Sequence, residues 1–151
     1  PIETLHRTVP LDWTDYNGHM NEAKYLQAFG DATDRFMEIV GCDADYIATG
    51  GSYFTAETHI RHLDEIHAGK RIRVRSICLN GQGKKMHLFH ELWEGERLCA
   101  TGEHILIHVS LETRRPSDPS ATISKRIAAI SEVHAGLERP DGVGRYVGAP
   151  R

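Results

Sequence analysis

The sequence predicts an α+β domain in which one long helix packs against an antiparallel sheet. An amphipathic segment of helical period runs from residue 22 to residue 40. Alternating segments then follow between residues 71 and 109, separated by short glycine-containing turns. Such turns connect neighbouring antiparallel strands, and a helix with one apolar face must bury that face against another surface. The two patterns together therefore favour a sheet with a helix on one face.

The composition is that of one ordinary globular domain. Of 151 residues, 40% are hydrophobic and 26% are charged, and the net charge at pH 7 is -3. This charge argues against nucleic-acid or membrane-surface binding, and no apolar run approaches the ~20 residues that cross a bilayer. The three widely spaced cysteines, Cys42, Cys78 and Cys99, are expected to be reduced thiols in a cytoplasmic protein.

The first half of the chain is expected to contain two strands and the long helix. Residues 5–10 alternate weakly and end at a proline, which suits a short first strand. Asn21 is a plausible N-cap for the helix over residues 22–40, and a glycine follows its last residue. A further helical turn is predicted over residues 43–49 and a strand over residues 52–63.

The second half is expected to form a meander and then a helical extension. Clean alternation and two turn signals predict strands over 71–79, 85–93 and 98–109. After a break rich in proline and arginine, a second helix is predicted over 120–137, and residues 138–151 are expected to be a tail or an arm laid over a partner subunit. We therefore expect one domain over residues 1–113 and a C-terminal helix and tail extension over residues 114–151.

The stretch before the long helix carries the residues best suited to chemistry. The run Asp15-x-Asn17-x-His19-Met20-Asn21-x-x-x-Tyr25 resembles the hot dog fold acyl-thioesterases. It is similar to the 4-hydroxybenzoyl-CoA thioesterase-like group and to the plant acyl-carrier-protein thioesterases, which share an Asp-x-Asn-x-His-x-Asn signature. The order of elements from residue 5 to about residue 112 agrees with that family. The resemblance implies a hot dog fold, an antiparallel sheet wrapped around a long central helix, and hydrolysis of an acyl-CoA thioester.

The resemblance assigns roles around this motif. The family's aspartate acts as nucleophile or general base, so Asp15 inherits that role, and the alternative is an aspartate that only caps the turn. Asn17 and His19 would orient the reactants or brace the turn. The backbone amides of Gly18 and Met20 would form the oxyanion hole at the helix start.

Other acidic residues are second candidates for the catalytic carboxylate, because some hot dog enzymes carry that group within the helix. Here those residues are Glu22, Asp31 and Asp34. The alternative for them is a solvated helix surface.

Aromatic residues near the motif suggest an acyl pocket. Trp13, Tyr25, Tyr53 and Phe54 are expected to bind the substrate, with core packing as the alternative, which we prefer for Phe54. Beside an acid, aromatic faces can hold a quaternary ammonium group by cation–π attraction.

A closer resemblance concerns the acyl group. The run from Asp15 to Tyr25, with residues 50–53 and 57–63, is similar to the betainyl-CoA thioesterases of carnitine degradation. That activity also occurs as a domain fused to carnitine dehydrogenases, which would suit a chain that begins at Pro1.

Basic residues on the strands could meet the phosphates of coenzyme A. Arg61 and Arg73 are the candidates, as members of a basic cluster near one strand pair, and the alternative is a solvated strand face. No metal and no cofactor are expected beyond coenzyme A as part of the substrate. The histidine pairs that are close in sequence either face opposite ways or lie too far apart along a strand.

A homodimer or homotetramer is expected, because the sheet edge and the shared active site of a hot dog fold require a partner. Two alternatives remain open. One is an acyl-CoA hydratase or dehydratase of the same fold, although its Asp-x-x-x-x-His or His-plus-Glu helix signature is not found. The other is a non-catalytic acyl-CoA-binding subunit. The acyl group, and whether Asp15 is nucleophile or base, also stay open.

Overall fold

The computed structural model describes residues 1–150, in which five strands form one antiparallel sheet with α1 against one face. The strand order is β1-β3-β4-β5-β2. The elements are β1 Ile2–Thr8, α1 Glu22–Val40, α2 Ala44–Ala48, β2 Gly51–His62, β3 Arg71–Asn80, β4 Lys85–Glu94, β5 Arg97–Ser110 and α3 Ala121–His134. The predicted α+β class is confirmed.

The central helix α1 begins and ends where its sequence predicts. The side chain of Asn21 accepts a hydrogen bond from the N–H of Ala23 at 2.9 Å, which satisfies a donor of the first turn. Gly41 ends the helix with a φ of 98°, a left-handed conformation that glycine adopts without strain. Between them, the buried face carries Ala28, Phe29, Ala32, Phe36 and Val40. The small alanines let the helix lie close to the sheet.

The meander of β3, β4 and β5 is also as predicted, and the two earlier strands lie at opposite edges of the sheet. The first strand begins three residues earlier than expected, because Ile2 already pairs with Ser76 of β3. Weak alternation at the start of the chain does not report such a long-range pairing. At the other edge, β2 pairs with β5 along one side only.

The C-terminal helix α3 shares the core of the domain. Ile123 and Ile127 are only 2% exposed and lie in a cluster with Phe36 and Val40 of α1. Gly81 lies against Ile127 so closely that a side chain there would collide with it. At the end of α3, the ring of His134 accepts the N–H of Cys78 at 2.9 Å. The division of the chain near residue 113 stays a prediction.

The residues predicted as a tail pack across the outer face of the sheet, away from α1. A guanidinium nitrogen of Arg61 donates to the carbonyl of Asp141 at 2.8 Å, and the N–H of Gly144 donates to the Glu103 carboxylate at 2.7 Å. The last residue of the predicted tail, Arg151, lies outside the described residues. The tail thus follows its own chain's β2 and β5.

All three cysteines are buried free thiols, as expected. No helix within residues 1–150 is both long and apolar enough to cross a membrane.

Candidate active site

The loop that precedes α1 folds into a tight turn around the carboxylate of Asp15. Its Oδ1 accepts hydrogen bonds from the N–H of Asn17 at 2.9 Å and from the N–H of His19 at 3.1 Å. Gly18 supplies the positive φ, 76°, that the turn requires, and Thr14 and Met20 pair across its base. Within the described residues, Oδ2 forms no hydrogen bond. One carboxylate therefore caps the turn and also keeps one oxygen free for chemistry.

The two amides expected to form the oxyanion hole are used inside the protein. The N–H of Gly18 donates to the carbonyl of Asp15 at 3.1 Å, and that of Met20 donates to the carbonyl of Ile66 at 2.7 Å. Either would have to give up its hydrogen bond to hold an oxyanion. The N–H of Glu22, the first residue of α1, has no hydrogen bond within residues 1–150. It is a free donor at this helix end.

The four aromatic residues expected at the acyl pocket do not come together. Trp13 and Tyr25 are buried with Phe29 beside the N-terminal half of α1, whereas Tyr53 is buried with Phe36 in the other half of the core. Phe54 faces away from Tyr53 on the edge strand β2 and is 56% exposed. Within residues 1–150, core packing, the alternative preferred for Phe54, is wrong because this ring lies on the face of the edge strand that points away from α1.

Trp13 and Tyr25 have partners within the chain. The guanidinium carbon of Arg7 lies 4.0 Å from the centre of the Trp13 ring. The Tyr25 hydroxyl donates to the carbonyl of Asp64 at 3.3 Å, and burial raises the pKa of Tyr25 to about 12. Both rings therefore brace the start of α1. Their contact with the substrate stays a prediction.

A groove of about 340 Å³ opens between α1 and the strands β2 and β5. Asp34, one of the second candidates for the catalytic carboxylate, lies on its helix wall, and Tyr53 and His104 lie on its sheet wall. Partial burial raises the pKa of Asp34, and the charges of Asp31 and Glu38 raise it further.

The sheet wall of this groove contains two buried polar atoms without a partner within residues 1–150, the hydroxyl oxygen of Tyr53 and Nε2 of His104. The other ring nitrogen of His104 is bonded to the hydroxyl of Thr58 at 2.9 Å. Burial lowers the pKa of His104 to about 4, so this ring is neutral at pH 7.

Comparison with known proteins places these features in a family. The model of the family described as "Thioesterase-like superfamily" matches residues 9–129 of the chain. A betainyl-CoA thioesterase of Pseudomonas aeruginosa is 38% identical over 153 residues, which cover 99% of this chain and 96% of that protein. The chain belongs to the thioesterase-like superfamily.

Longer relatives of this thioesterase-like chain carry a second activity in their names. An L-carnitine dehydrogenase/betainyl-CoA thioesterase of Ruegeria pomeroyi is 67% identical over 150 residues, 99% of this chain. The matched region makes up 31% of that relative, so the chain spans about a third of its length.

Solved structures confirm the predicted hot dog thioesterase fold. A candidate thioesterase from Pseudomonas putida KT2440 superimposes with a TM-score of 0.85 at 32% identity, covering 99% of this chain and 97% of that one. A Staphylococcus aureus protein in complex with CoA superimposes with a TM-score of 0.90 at 24% identity, covering 99% and 96%. The second likeness concerns the fold alone.

The thioesterase fold separates the two arginines expected at the phosphates of coenzyme A. Arg61 lies on β2 and Arg73 on β3, with β4 and β5 between them, so the strands are about 14 Å apart. The expectation that they belong to one strand pair is wrong. The guanidinium of Arg61 donates to the hydroxyl of Thr101 at 3.0 Å and to the tail. That of Arg73 donates to the carbonyl of Gly95 at 3.4 Å. Their role at coenzyme A stays a prediction.

A cluster of possible metal ligands, which sequence spacing did not predict, lies beside the Asp15 turn. Nε2 of His19 is 3.1 Å from a carboxylate oxygen of Glu65, and the rings of His19 and His67 are 4.7 Å apart. Backbone pairing of His19 with His67 brings these distant residues together. The donor atoms of the three side chains lie within 4.8 Å of one another. Two imidazoles and a carboxylate are ligands that zinc accepts, although no metal is expected from the spacing of the histidines in the sequence.

Proposed function

We propose that this chain hydrolyses betainyl-CoA to betaine and coenzyme A. The proposal rests on one observation above all: the turn before α1 fixes the Asp15 carboxylate and leaves one oxygen free. The betainyl-CoA thioesterase of Pseudomonas aeruginosa, matched over 96% of its own length, supports the choice of acyl group. The name of the Ruegeria pomeroyi relative includes the same activity.

The chemistry needs one carboxylate and donors for the carbonyl oxygen. Oδ2 of Asp15 either takes a proton from an attacking water, or itself attacks the thioester carbonyl carbon and forms a mixed anhydride that water then hydrolyses to betaine and free Asp15. The bond from carbon to sulfur breaks, and coenzyme A leaves as a thiolate that takes up a proton. The N–H of Glu22 at the positive end of α1 holds the developing oxyanion. Asn17 and His19 orient the reactants.

The assembly that we propose is a homodimer, or a homotetramer built from dimers, joined through β2. This strand is at the sheet edge, 12 residues long, and contains neither lysine nor proline. Phe54 on β2 is 56% exposed and Leu26 on α1 is 51% exposed. An unprotected edge of this length invites pairing with another strand. Light scattering of the purified chain distinguishes these assemblies from a monomer.

The reaction that we propose requires no metal and no cofactor beyond the coenzyme A of the substrate. We place it in the cytoplasm, where the three buried thiols would remain reduced.

Thiol release tests the function. Wild type and Asp15→Asn are assayed with betainyl-CoA, acetyl-CoA and 4-hydroxybenzoyl-CoA. We expect fast release from betainyl-CoA that depends on Asp15. Release from the other two substrates only would retain the thioesterase and reject the acyl group. Binding without turnover would favour a non-catalytic subunit, and addition of water to an enoyl-CoA, assayed beside these substrates, would favour a hydratase.

A further inference from the structure

The groove beside α1 has a composition that neither the hydrolysis nor the fold explains. Leu26 and Met37 line it from the helix, Leu106 lines it from β5, and Tyr53 adds an aromatic surface from β2. Gly30 leaves room on the helix side, since a side chain built there would meet nothing within 4 Å. The volume of about 340 Å³ is within the range of small-molecule sites, about 300–1,000 Å³. The groove can therefore hold a compact group with apolar atoms on its surface.

One acidic side chain in this groove has no counter-charge. Within residues 1–150, Asp34 forms neither an ion pair nor a hydrogen bond. Its neighbours on the helix surface include two more acids, Asp31 and Glu38, and the arginine nearby, Arg35, is paired with Glu38 at 3.1 Å. The groove is thus an apolar surface with an uncompensated negative charge at its side, which attracts a cation.

The lining also indicates which kind of cation fits. A primary ammonium group needs hydrogen-bond acceptors on several sides. Asp34 is the one carboxylate that lines the groove within residues 1–150, and the hydroxyls of Thr33 and Thr58 are oriented by their bonds to His90 at 2.8 Å and to His104 at 2.9 Å. A quaternary ammonium has no N–H groups, and its methyl groups favour contact with aromatic and apolar side chains. Leu26, Met37 and Tyr53 supply those contacts.

We infer that this groove holds the trimethylammonium group of the acyl moiety, with Asp34 as its counter-charge and Tyr53 as its aromatic wall. Asp34 is then a specificity-determining residue for the charge of the acyl group. The inference rests on the proposed function, which it deepens.

The size of the acyl group requires a second copy of the chain. Asp34 lies about 18 Å along α1 from its first residue, and Asp15 precedes that residue. In betainyl-CoA one methylene separates the carbonyl carbon from the quaternary nitrogen, a distance of about 2.5 Å. Asp15 and Asp34 of one chain therefore cannot both contact one betainyl group. The Asp34 groove of one copy meets the Asp15 turn of another, across the interface at β2.

A matched pair of substrates isolates the charge. In 3,3-dimethylbutanoyl-CoA a carbon atom replaces the quaternary nitrogen of betainyl-CoA with nearly the same shape. The ratio of kcat/KM for the two substrates is measured for wild type, Asp34→Asn and Asp31→Asn. Asp31 is an acid of the same helix that does not line the groove. We expect Asp34→Asn to lower the preference for betainyl-CoA by about 10- to 100-fold, and Asp31→Asn to change it by about threefold or less.

Two results of this assay would overturn the inference. An equal loss on both substrates would assign Asp34 to the chemistry or to folding, and an unchanged ratio would remove it from recognition. In both cases the hydrolysis of betainyl-CoA by the wild type would still stand. A circular dichroism spectrum and a urea unfolding curve for each variant show whether it folds.

Binding of tetramethylammonium provides a readout that does not depend on turnover. Shifts of the Tyr53 ring signals during its titration are followed by NMR for the wild type and Asp34→Asn. Shifts that saturate only in the wild type support the site, even if no thioester is hydrolysed. Identical shifts, or none in either protein, overturn it.

Mixed oligomers test the requirement for two copies. Asp15→Asn and Asp34→Asn subunits are co-expressed with different tags and purified together. A mixed dimer then contains one intact pair of Asp15 and Asp34 if the site spans two chains. Activity on betainyl-CoA should recover to about half of wild type for mixed dimers selected through both tags, and to about a quarter for an unselected, randomly paired mixture. No recovery above the separate variants would show that the site does not span two copies.

Discussion

The turn around Asp15 and the groove beside Asp34 differ in whether their polar groups form hydrogen bonds within the chain. In the turn, the carboxylate and the amides of Gly18 and Met20 are bonded to other parts of the same chain. In the groove, Asp34 has no partner among the described residues, and neither do the Tyr53 hydroxyl and Nε2 of His104. The turn is built to hold one carboxylate oxygen in place. The groove presents the Asp34 carboxylate at its open side, whereas the Tyr53 hydroxyl and Nε2 of His104 are buried within its sheet wall.

This contrast separates chemistry from recognition. A catalytic group must be held in a fixed position, and internal hydrogen bonds provide that. A binding surface must keep its charge unpaired until the ligand arrives, at a cost in stability. The following predictions test each side of the comparison, beginning with the largest expected effect.

Changing Asp15 should separate its chemical role from its structural role. Asp15→Asn keeps an oxygen acceptor for the turn but removes the charge, so we expect hydrolysis to fall by about 100-fold or more with little loss of stability. The activity of Asp15→Ala should fall as far, and its free energy of unfolding should also decrease by about 1 kcal/mol. Thiol release and urea unfolding measure the two effects. Normal activity in both variants would show that Asp15 only caps the turn.

Acid should weaken the fold through His104 on the groove wall. Burial lowers its pKa from 6.5 to about 4, so the unfolded chain binds the proton first as the pH falls. Stability is therefore complete above pH 6.5, decreases below it, and levels off below about pH 4. His104 alone should contribute a loss of about 2 kcal/mol at pH 5 relative to pH 7.5. Urea unfolding at both pH values measures this loss.

An NMR titration of the histidine rings assigns the effect to His104. The exposed His62 on β2 serves as the internal comparison. A normal pKa for the His104 ring would contradict the prediction even if the protein were acid-sensitive, since His90, whose pKa burial lowers well below its usual value, acts in the same direction.

Removing a single polar group should lower stability in the turn region but not in the groove. Asn21→Ala removes the N-cap beside the turn and should cost about 1 kcal/mol. Tyr53→Phe removes a buried hydroxyl without a partner and should leave stability unchanged or raise it by up to about 1 kcal/mol. Urea unfolding of both variants at pH 7.5 is the measurement. A clear loss for Tyr53→Phe would show that its hydroxyl has a partner in solution.

Chelation should have the smallest effect. Because the Asp15 chemistry needs no metal, dialysis against EDTA should leave thiol release unchanged. A loss that zinc restores would contradict this and would direct attention to the cluster of His19, Glu65 and His67. His67→Asn, at the far side of that cluster, then tests whether the metal is bound there.

Much of the architecture follows from local patterns in the chain. The period of the apolar residues and the caps at Asn21 and Gly41 define α1, and alternation with glycine turns defines the meander. The position of Asp15 before the helix follows from the motif. Each of these features depends on residues close together in sequence, so their local preferences are sufficient to predict them.

The groove and the placement of the basic residues could not be predicted in this way. Alternation along a strand places the adjacent Tyr53 and Phe54 on opposite faces, but it does not indicate which face lies against α1, and Tyr53 is the buried one. Arg61 and Arg73 belong to consecutive strands along the chain, yet two other strands lie between them. Strand order results from competition between long-range pairings, and no local pattern reports it.

By itself the sequence determined the fold class, the bounds of α1, the meander and the family to which the motif belongs. These depend on backbone preference and on the period of hydrophobic residues, which act within a few turns of chain. Only the tertiary structure decided that Asp34 faces Tyr53 and His104 across a groove, and that His19 meets Glu65 and His67. Those contacts join residues far apart in the chain, and they form only when the sheet and its helix pack together.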